Sequence, residues 1–310
     1  MLYKRLNIEK KTGVCKTIPQ GNVIPKLIHQ TFLTKDVPAE IAENIRLLKK
    51  NNPTWEHHLY DDADISNFIL ANYGHDILKY YDSIHNAYGA AKADLFRYLL
   101  MYQEGGIYLD AKSSVTSSLD SIAELSYPFL ITQWDTAGYS RSWHRELKDI
   151  DGGEFIQWAI VSTPGHPFLK EVIEKVIRNI EIYNPYFHRV GQKGVLNVTG
   201  PIAYTLAIAP LLEKWPHRYI KKHEDALLVY SIYNNAGYSN AHKKIFQKKH
   251  YTKLRISLIK PTNRLNAFIW AFAVIRVPLT KAEFHNRYWD KAWFPHLRKI
   301  YRYCESIIKK

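Results

Sequence analysis

Asp110 is the residue of this chain whose position most clearly offers chemistry. It directly follows residues 107–109, a short apolar run that predicts a buried strand after Gly105 and Gly106. In an open α/β sheet, ligands bind beyond the carboxyl ends of the strands. We therefore expect the carboxylate of Asp110 to meet a ligand.

A second pair of charged residues lies on the helix that is predicted just before this strand. Asp94 and Arg97 are three residues apart, which places both side chains on one helix face, and Ala90 and Ala91 leave room beside the first turn. The ordinary alternative is a surface ion pair, worth about 0.2–0.5 kcal/mol. The spacing alone favours that alternative.

The elements that must position these residues alternate between strands and helices. Residues 90–104 contain neither Gly nor Pro and predict a helix, which Gly105 and Gly106 end. Apolar spacing, caps and prolines predict strands within 23–32, 55–60, 129–133 and 155–162, and helices over 38–51, 65–73, 167–182 and 201–212. This alternation predicts an α/β sandwich with a mostly parallel sheet.

Taken together, residues 90–98 (AAKADLFRY) and 105–110 (GGIYLD) resemble the sugar-nucleotide-binding region of glycosyltransferase family 32. The family pattern is an Ala-Asp helix with a following Arg, a Gly-Gly turn and a strand that ends in Asp-x-Asp. Further matches are residues 24–30 (IPKLIHQ), 51–55 (NNPTW), 164–167 (PGHP) and 199–201 (TGP). The resemblance implies a GT-A-like, Rossmann-like domain that binds a nucleotide sugar, which we place at residues 1–250.

The resemblance also implies which residues hold the hexose and the diphosphate of the donor. Asp94 and Arg97, beside Ala91, are expected to hydrogen-bond the hexose, because a carboxylate and a guanidinium can each bind two hydroxyl groups. Tyr108 and Asp110 are expected to meet the ribose or the diphosphate through a divalent ion, Mn²⁺ or Mg²⁺, with Asp110 as its ligand.

The resemblance implies that three further residues contact the nucleotide. It leaves open whether this nucleotide is UDP or GDP. Phe32 is expected to stack on the base near Gln30, since an aromatic face suits a planar ring. His250 resembles the family's C-terminal His-Tyr element near the diphosphate, although a lone His beside a Lys is commonly a solvated surface residue.

Lys112 departs from the family pattern, because this chain reads Asp110-Ala111-Lys112 where the family has Asp-x-Asp. The second aspartate normally binds the metal that neutralises the departing diphosphate, and an ammonium group cannot bind a metal. Three alternatives remain open here. Lys112 supplies the positive charge itself, another group holds the metal, or the chain is an inactive homologue.

Composition bounds the protein class. The 310 residues are 46% hydrophobic and 23% charged, which excludes a disordered chain, a collagen-like repeat and a coiled coil. Two cysteines, Cys15 and Cys304, cannot build a disulfide framework and fit a reducing cytosol. The first 23 residues lack a signal-peptide core, and no unbroken apolar run reaches about 18 residues, so we expect neither secretion nor a membrane span.

The formal net charge of +14 is confined to the end of the chain. Residues 243–310 hold 17 basic and three acidic residues, whereas the first 242 residues hold 26 of each. We therefore expect a near-neutral body followed by a basic, aromatic-rich and largely helical region at 251–310 that binds an anionic membrane surface. Within it, residues 265–279 are almost wholly apolar, and are expected to lie in the core or at an interface.

Together with the resemblance to glycosyltransferase family 32, these observations predict a cytoplasmic glycosyltransferase, peripheral on the inner face of the membrane. It would move a hexose from a nucleotide-diphosphate sugar to a surface-polysaccharide or lipid-linked saccharide acceptor. The family's retaining chemistry needs no general base in a front-face mechanism, and the sequence offers none. The alternative is a basic protein that binds nucleic acid or another polyanion without catalysis. The sequence contains no motif typical of nucleic-acid-binding proteins, so we expect no nucleic-acid partner.

Overall fold

The computed structural model describes residues 14–123, 127–134, 144–233, 251–262, 266–267 and 270. The strands in these residues are β1 (Leu27–Thr31), β2 (Glu56–Tyr60), β3 (Gly106–Leu109), β4 (Ser114–Val115), β5 (Phe129–Gln133), β6 (Ala159–Ser162), β7 (Arg218–Lys222) and β8 (Leu228–Val229). The helices are α1 (Ala39–Asn51), α2 (Asp62–Ser83), α3 (Gly89–Gln103), α4 (Asp120–Ala123), α5 (Pro167–Glu181), α6 (Pro185–His188), α7 (Gly191–Val198) and α8 (Pro201–Ile208).

The central sheet has the strand order β2-β1-β3-β6-β5-β7. The pairs β1–β2, β1–β3 and β5–β7 are parallel, and β6 runs antiparallel to both of its neighbours. The ends of β1, β3, β5 and β7 and the start of β6 therefore lie along one edge of the sheet. This arrangement confirms the predicted α/β class with a mostly parallel sheet, and Asp110 lies at that edge.

Helix α3 is buried on almost every side, because it lies between the sheet and helices α2 and α5. All residues from Asp94 to Tyr102 are buried, and all of them except Asp94 and Arg97 belong to the larger of two apolar cores. The smaller core lies around Ile28, Trp55 and Leu109. Charged residues on α3 are therefore removed from water, and they need partners inside the protein.

The Gly105-Gly106 turn sets how α3 enters β3. Both glycines have positive φ angles, 68° and 90°. A Cβ atom on Gly106 would lie 2.6 Å from the carbonyl oxygen of Leu27 in β1. The ring of buried His29 bonds the Gly105 carbonyl oxygen at 3.1 Å, and burial lowers the pKa of His29 to about 3, so the ring is neutral. The turn therefore tolerates only glycine where the strands meet most closely.

Two predicted elements differ in extent from the observed ones, and one observed strand was not predicted. Gly74 has a φ angle of 70° and bends the helix, but the chain resumes helical structure as far as Ser83. The strand predicted at 155–162 pairs regularly only over Ala159–Ser162, because the preceding residues turn toward the site. Strand β7 was not predicted, since its sequence RYIKK lies at the sheet edge and carries three basic residues.

One helical stretch in the described residues, Gly191–Leu211, is long and apolar enough to pass a membrane-span test of length and composition. Most of it is buried within the protein, and it is divided between α7, α8 and a 3₁₀ turn. Its helices pack on α5 and on each other. This is the packing of core helices.

The described part of the predicted C-terminal region packs on the same body. Leu258 is fully buried, and its backbone N–H donates to the hydroxyl of Tyr183 at 3.1 Å. The ring of Trp270 meets the same tyrosine edge-on, with the centroids 5.5 Å apart. This residue of the apolar segment 265–279 therefore contacts the core. His250 and the residues after Trp270 lie outside the described residues, and the boundary at residue 250 stays a prediction.

Candidate functional site

Two buried residues of α3 and one residue after β3 form a charged cluster at the sheet edge. Asp94 and Arg97 are only 3% and 4% exposed, which shows that the surface ion-pair alternative is wrong. The Nη2 atom of Arg97 lies 3.0 Å from Oδ1 of Asp110 and 3.5 Å from Oδ1 of Asp94. One guanidinium therefore links the helix to the strand end.

The guanidinium of Arg97 is held from several directions. Its Nε donates to the carbonyl oxygen of Ala93 at 3.3 Å, and Nη1 donates to that of Gln157 at 2.9 Å. Its plane lies over the ring of Tyr108, with Cζ 4.7 Å from the ring centre. A buried ion pair needs such additional hydrogen bonds to offset its desolvation. The group is therefore fixed in place before any ligand binds.

Asp94 faces hydrogen-bond donors from two other parts of the chain. Oδ2 accepts from the hydroxyl of Thr199 at 2.9 Å, and Oδ1 accepts from the amide of Gln157 at 3.2 Å. Burial raises the pKa of Asp94 to about 6, although Arg97 and the Thr199 hydroxyl act in the opposite direction. The carboxylate is therefore costly to ionise, a property typical of functional positions.

Asp110 is the carboxylate of the cluster that reaches solvent, with 26% of its side chain exposed. Oδ1 accepts from the hydroxyl of Tyr108 at 3.4 Å, and that hydroxyl also bonds Oγ1 of Thr31 at 3.0 Å. Its backbone N–H donates to the carbonyl oxygen of Trp158 at 2.9 Å. Backbone and side chain are both positioned, and the side chain is partly exposed at the sheet edge. Contact between Asp110 and a ligand stays a prediction.

Gln30 and Ala91 are both fully buried. The Gln30 amide donates to the Asp110 carbonyl oxygen at 3.3 Å, and its oxygen bonds the ring of His57 at 2.9 Å. Gln30 therefore positions the end of β3. Phe32 is half-buried and follows β1 at the same sheet edge. Ligand contacts by Gln30, Phe32 and Ala91 stay predictions.

Lys112 lies against Tyr230, a residue that the sequence did not single out. Its ammonium donates to the Tyr230 hydroxyl at 2.8 Å and lies 4.0 Å from the ring centre. Burial lowers the pKa of Lys112, and nearby Arg97 lowers it further, whereas Asp110 raises it. The ammonium of Lys112 is therefore close enough to Asp110 and Arg97 to interact electrostatically with both.

The residues at this position do not fit a divalent metal. No group of three or more His, Cys, Asp and Glu side chains that could hold an ion occurs in the described part of the chain. Asp110, the predicted ligand, is already paired with Arg97, and Lys112 stands where the second carboxylate is expected. Mn²⁺ and Mg²⁺ prefer oxygen ligands. This position instead holds one carboxylate, that of Asp110, beside the positively charged side chains of Arg97 and Lys112.

Gln157 and His166 lie at opposite edges of the sheet. Gln157 contacts Asp94, Arg97 and Tyr98, so it belongs to the cluster. His166 lies after β6, at the opposite sheet edge, where its ring caps α5. Thr199 was visible in the sequence only as part of a Thr-Gly-Pro turn, and its contact with Asp94 depends on the fold.

The charged cluster lies within the part of the chain that matches a known protein family. Residues 38–127 match the family described as glycosyltransferase sugar-binding region containing DXD motif, and this range contains Asp94, Arg97, Asp110 and Lys112. The chain is 30% identical to inositol phosphoceramide mannosyltransferase 2 of Schizosaccharomyces pombe over 178 residues, which are 57% of this chain and 46% of that protein.

Two other relatives match this chain with similar identity and coverage. Identity is 28% to inositol phosphoceramide mannosyltransferase 3 of S. pombe, covering 65% of this chain and 51% of that protein. It is 27% to the initiation-specific alpha-1,6-mannosyltransferase of S. pombe, covering 63% and 50%. The chain thus spans about half the length of the curated relatives it matches. These matches confirm the predicted resemblance to glycosyltransferase family 32.

Among solved structures, the PaToxG glycosyltransferase aligns with a TM-score of 0.44 and 18% identity, over 64% of this chain and 73% of that one. The glycosyltransferase GlyE of Streptococcus pneumoniae TIGR4 aligns with a TM-score of 0.36 and 15% identity, over 81% of this chain and 60% of that one.

Proposed function

We propose that this chain is a retaining glycosyltransferase that moves a hexose from a nucleotide-diphosphate sugar to a saccharide acceptor, either a surface polysaccharide or a lipid-linked saccharide. The observation that carries the proposal is the buried guanidinium of Arg97, which links the carboxylates of Asp94 and Asp110 at the ligand-binding edge of the sheet. The family match over the same residues supports it.

In this proposal the cluster recognises the donor. Asp94 and Arg97 bind hydroxyl groups of the hexose, since paired charged groups discriminate hydroxyl positions strongly. Asp110 meets the ribose or the diphosphate with its exposed edge, and Phe32 stacks on the base. The relatives named as mannosyltransferases make GDP-mannose the first donor to test. Those named for inositol phosphoceramide favour the lipid-linked acceptor.

Lys112 supplies positive charge to the diphosphate in place of a metal-binding carboxylate. During transfer the bond between the anomeric carbon and the diphosphate oxygen breaks, and the acceptor hydroxyl oxygen bonds that carbon from the same face. The hydroxyl proton passes to the departing diphosphate. Negative charge grows on the diphosphate, and a fixed ammonium in a partly dry site stabilises it. Tyr230 holds the ammonium in place by its hydrogen bond at 2.8 Å.

We further propose that the basic region at 251–310 holds the protein on the inner face of the cytoplasmic membrane. The support is its charge, because residues 251–310 hold 13 basic and three acidic residues and so carry +10 of the chain's formal excess of +14. Each Lys or Arg close to an anionic leaflet is worth about 1 kcal/mol. A peripheral position would bring the site to a lipid-linked acceptor.

A thermal-shift experiment tests the donor proposal. The wild-type protein is heated with UDP, GDP, UDP-hexoses and GDP-hexoses, with Mn²⁺ and with EDTA. We expect at least one nucleotide to raise the melting temperature, because a ligand that binds only the folded state stabilises it by mass action. We expect a similar rise in EDTA. Absence of any shift at millimolar nucleotide would contradict the proposal.

A further inference from the structure

Four aromatic side chains, Trp134, Trp158, His223 and Tyr230, form a second feature at the edge of the sheet that carries Asp110, and we call them the aromatic cluster. Trp134 follows β5, Trp158 precedes β6 and His223 follows β7, and the reversed direction of β6 brings these positions to one edge. Ring centroids of Trp134 and Trp158 lie 4.8 and 5.2 Å from that of Tyr230, and 5.2 and 5.3 Å from that of His223.

The aromatic cluster adjoins the charged cluster directly. The carbonyl oxygen of Trp158 accepts from the backbone N–H of Asp110 at 2.9 Å, and the hydroxyl of Tyr230 accepts from Lys112 at 2.8 Å. The residues assigned to the donor come from β1, β3, α3 and the residues that follow these strands, whereas the aromatic cluster comes from β5, β6, β7 and the chain after β8. Asp110 therefore stands at the border between two halves of one binding edge.

The orientation of Trp134 is fixed by polar contacts behind it. Its indole N–H donates to Oε1 of Glu154 at 2.9 Å, and Oε2 of Glu154 lies 3.0 Å from Nε2 of His144. The hydrogen bond that the His144 ring donates to Glu154 raises the pKa of His144. Trp134 and Tyr230 are only half-buried. A rigid aromatic face that still meets solvent is a binding surface with little ordering cost.

Trp158 provides the second observation. Its side chain is only 5% exposed, yet its indole Nε1 has no hydrogen-bond partner in the described part of the chain. Buried donors are nearly always paired, and an exception calls for an explanation. A ligand hydroxyl group beside the aromatic cluster would accept this hydrogen bond.

From these contacts we infer that the aromatic cluster binds the saccharide acceptor, and this inference rests on the proposed transferase function. A pyranose ring has an apolar C–H face that packs on an aromatic ring, and hydroxyl groups at its rim that need donors and acceptors. The cluster offers aromatic faces, an unpaired indole N–H and the nearby Glu154 carboxylate. Bases of nucleotides stack on aromatic rings as well, but the base is assigned to Phe32 at the end of β1, two strands away from β6.

The test compares binding of a saccharide with binding of a nucleotide in the same variants. Methyl α-mannopyranoside, methyl α-glucopyranoside and methyl α-galactopyranoside are titrated by saturation-transfer NMR, and GDP and UDP by calorimetry. Trp134→Ala removes a half-buried ring of the cluster. The matched control is Trp215→Ala, which removes a half-buried indole just before β7, at the opposite edge of the sheet.

We expect Trp134→Ala to weaken hexoside binding about tenfold, the loss of one stacking contact and its buried area. Nucleotide binding should stay unchanged in this variant, and Trp215→Ala should change neither affinity. The inference is overturned if Trp134→Ala weakens nucleotide binding instead, or if it leaves hexoside binding unchanged. It is also overturned if the wild type binds nucleotide but no hexoside. Hexoside binding through Trp134 without nucleotide binding would leave the inference standing and contradict the proposed function.

Discussion

Replacing Asp94 by Asn should make the protein more stable at neutral pH while it destroys transfer. Asp94 is 3% exposed, and burial raises its pKa from 3.8 to about 6. An Asn side chain has the shape of the protonated carboxyl group and removes the cost of the buried charge. The Thr199 hydroxyl, which now donates to Asp94, lies 3.5 Å from the Val195 carbonyl oxygen and can turn toward it.

The size of the effect follows from the pKa difference. Because the folded state holds the proton more tightly, the stability that protonated Asp94 contributes is fully present below about pH 4 and is lost as pH rises through 6. One pKa unit corresponds to about 1.4 kcal/mol. The free energy of unfolding of Asp94→Asn should therefore exceed that of the wild type by about 1–3 kcal/mol at pH 7.5. The gain should shrink toward pH 4.5.

Urea unfolding at pH 4.5, 6 and 7.5 measures this difference, with transfer activity followed in parallel. The control is Asp149→Asn, because the Asp149 side chain is 85% exposed and its neutralisation should leave the free energy of unfolding unchanged. A loss of stability at pH 7.5 in Asp94→Asn, or an equal gain in the control, would refute the reasoning. Either result would show that the buried charge of Asp94 is not what lowers the free energy of unfolding of the wild type.

Three further predictions concern the rest of the site and the C-terminal region. Asp110→Asn should abolish transfer and keep the melting temperature within a few degrees, because its side chain is partly exposed; turnover near the wild-type rate, measured by nucleotide release, would exclude it from the site. Lys112→Ala should lower kcat by about 10²–10³-fold, Lys112→Arg much less, and EDTA only modestly. Loss of activity in EDTA with an intact Lys112→Ala would instead require a metal held elsewhere. The protein should sediment with anionic liposomes at low salt, be released at high salt, and lose this binding on truncation before Tyr288. Equal binding to neutral and anionic vesicles would point the basic charge toward another partner, such as an acidic polysaccharide.

The sequence predicted the α/β class and the members of the charged cluster because their signals are local. An apolar run before Asp110, two adjacent glycines and the spacing of Asp94 and Arg97 are all readable within about 20 residues. The spacing could not show that the pair is buried. Burial depends on α3 lying between the sheet and α5, which only the tertiary packing decides.

The residues that the sequence did not reveal come from distant parts of the chain. Tyr230 meets Lys112 across 118 positions, and Thr199 meets Asp94 across 105. No periodicity or motif records such a contact. The aromatic cluster has the same origin, since Trp134 and Trp158 become neighbours only when β6 runs against β5.

The most direct measurement is a crystal structure of the protein with a bound, non-transferable nucleotide sugar, beginning with a GDP-mannose analogue. The hexose should lie within hydrogen-bonding distance of Asp94 and Arg97, and the diphosphate should lie beside Lys112 with no metal ion between them. A nucleotide bound away from the carboxyl ends of β1 and β3 would contradict the proposed donor site. A diphosphate held by a metal ion that Asp110 binds, with Lys112 pointing away, would contradict the role proposed for Lys112.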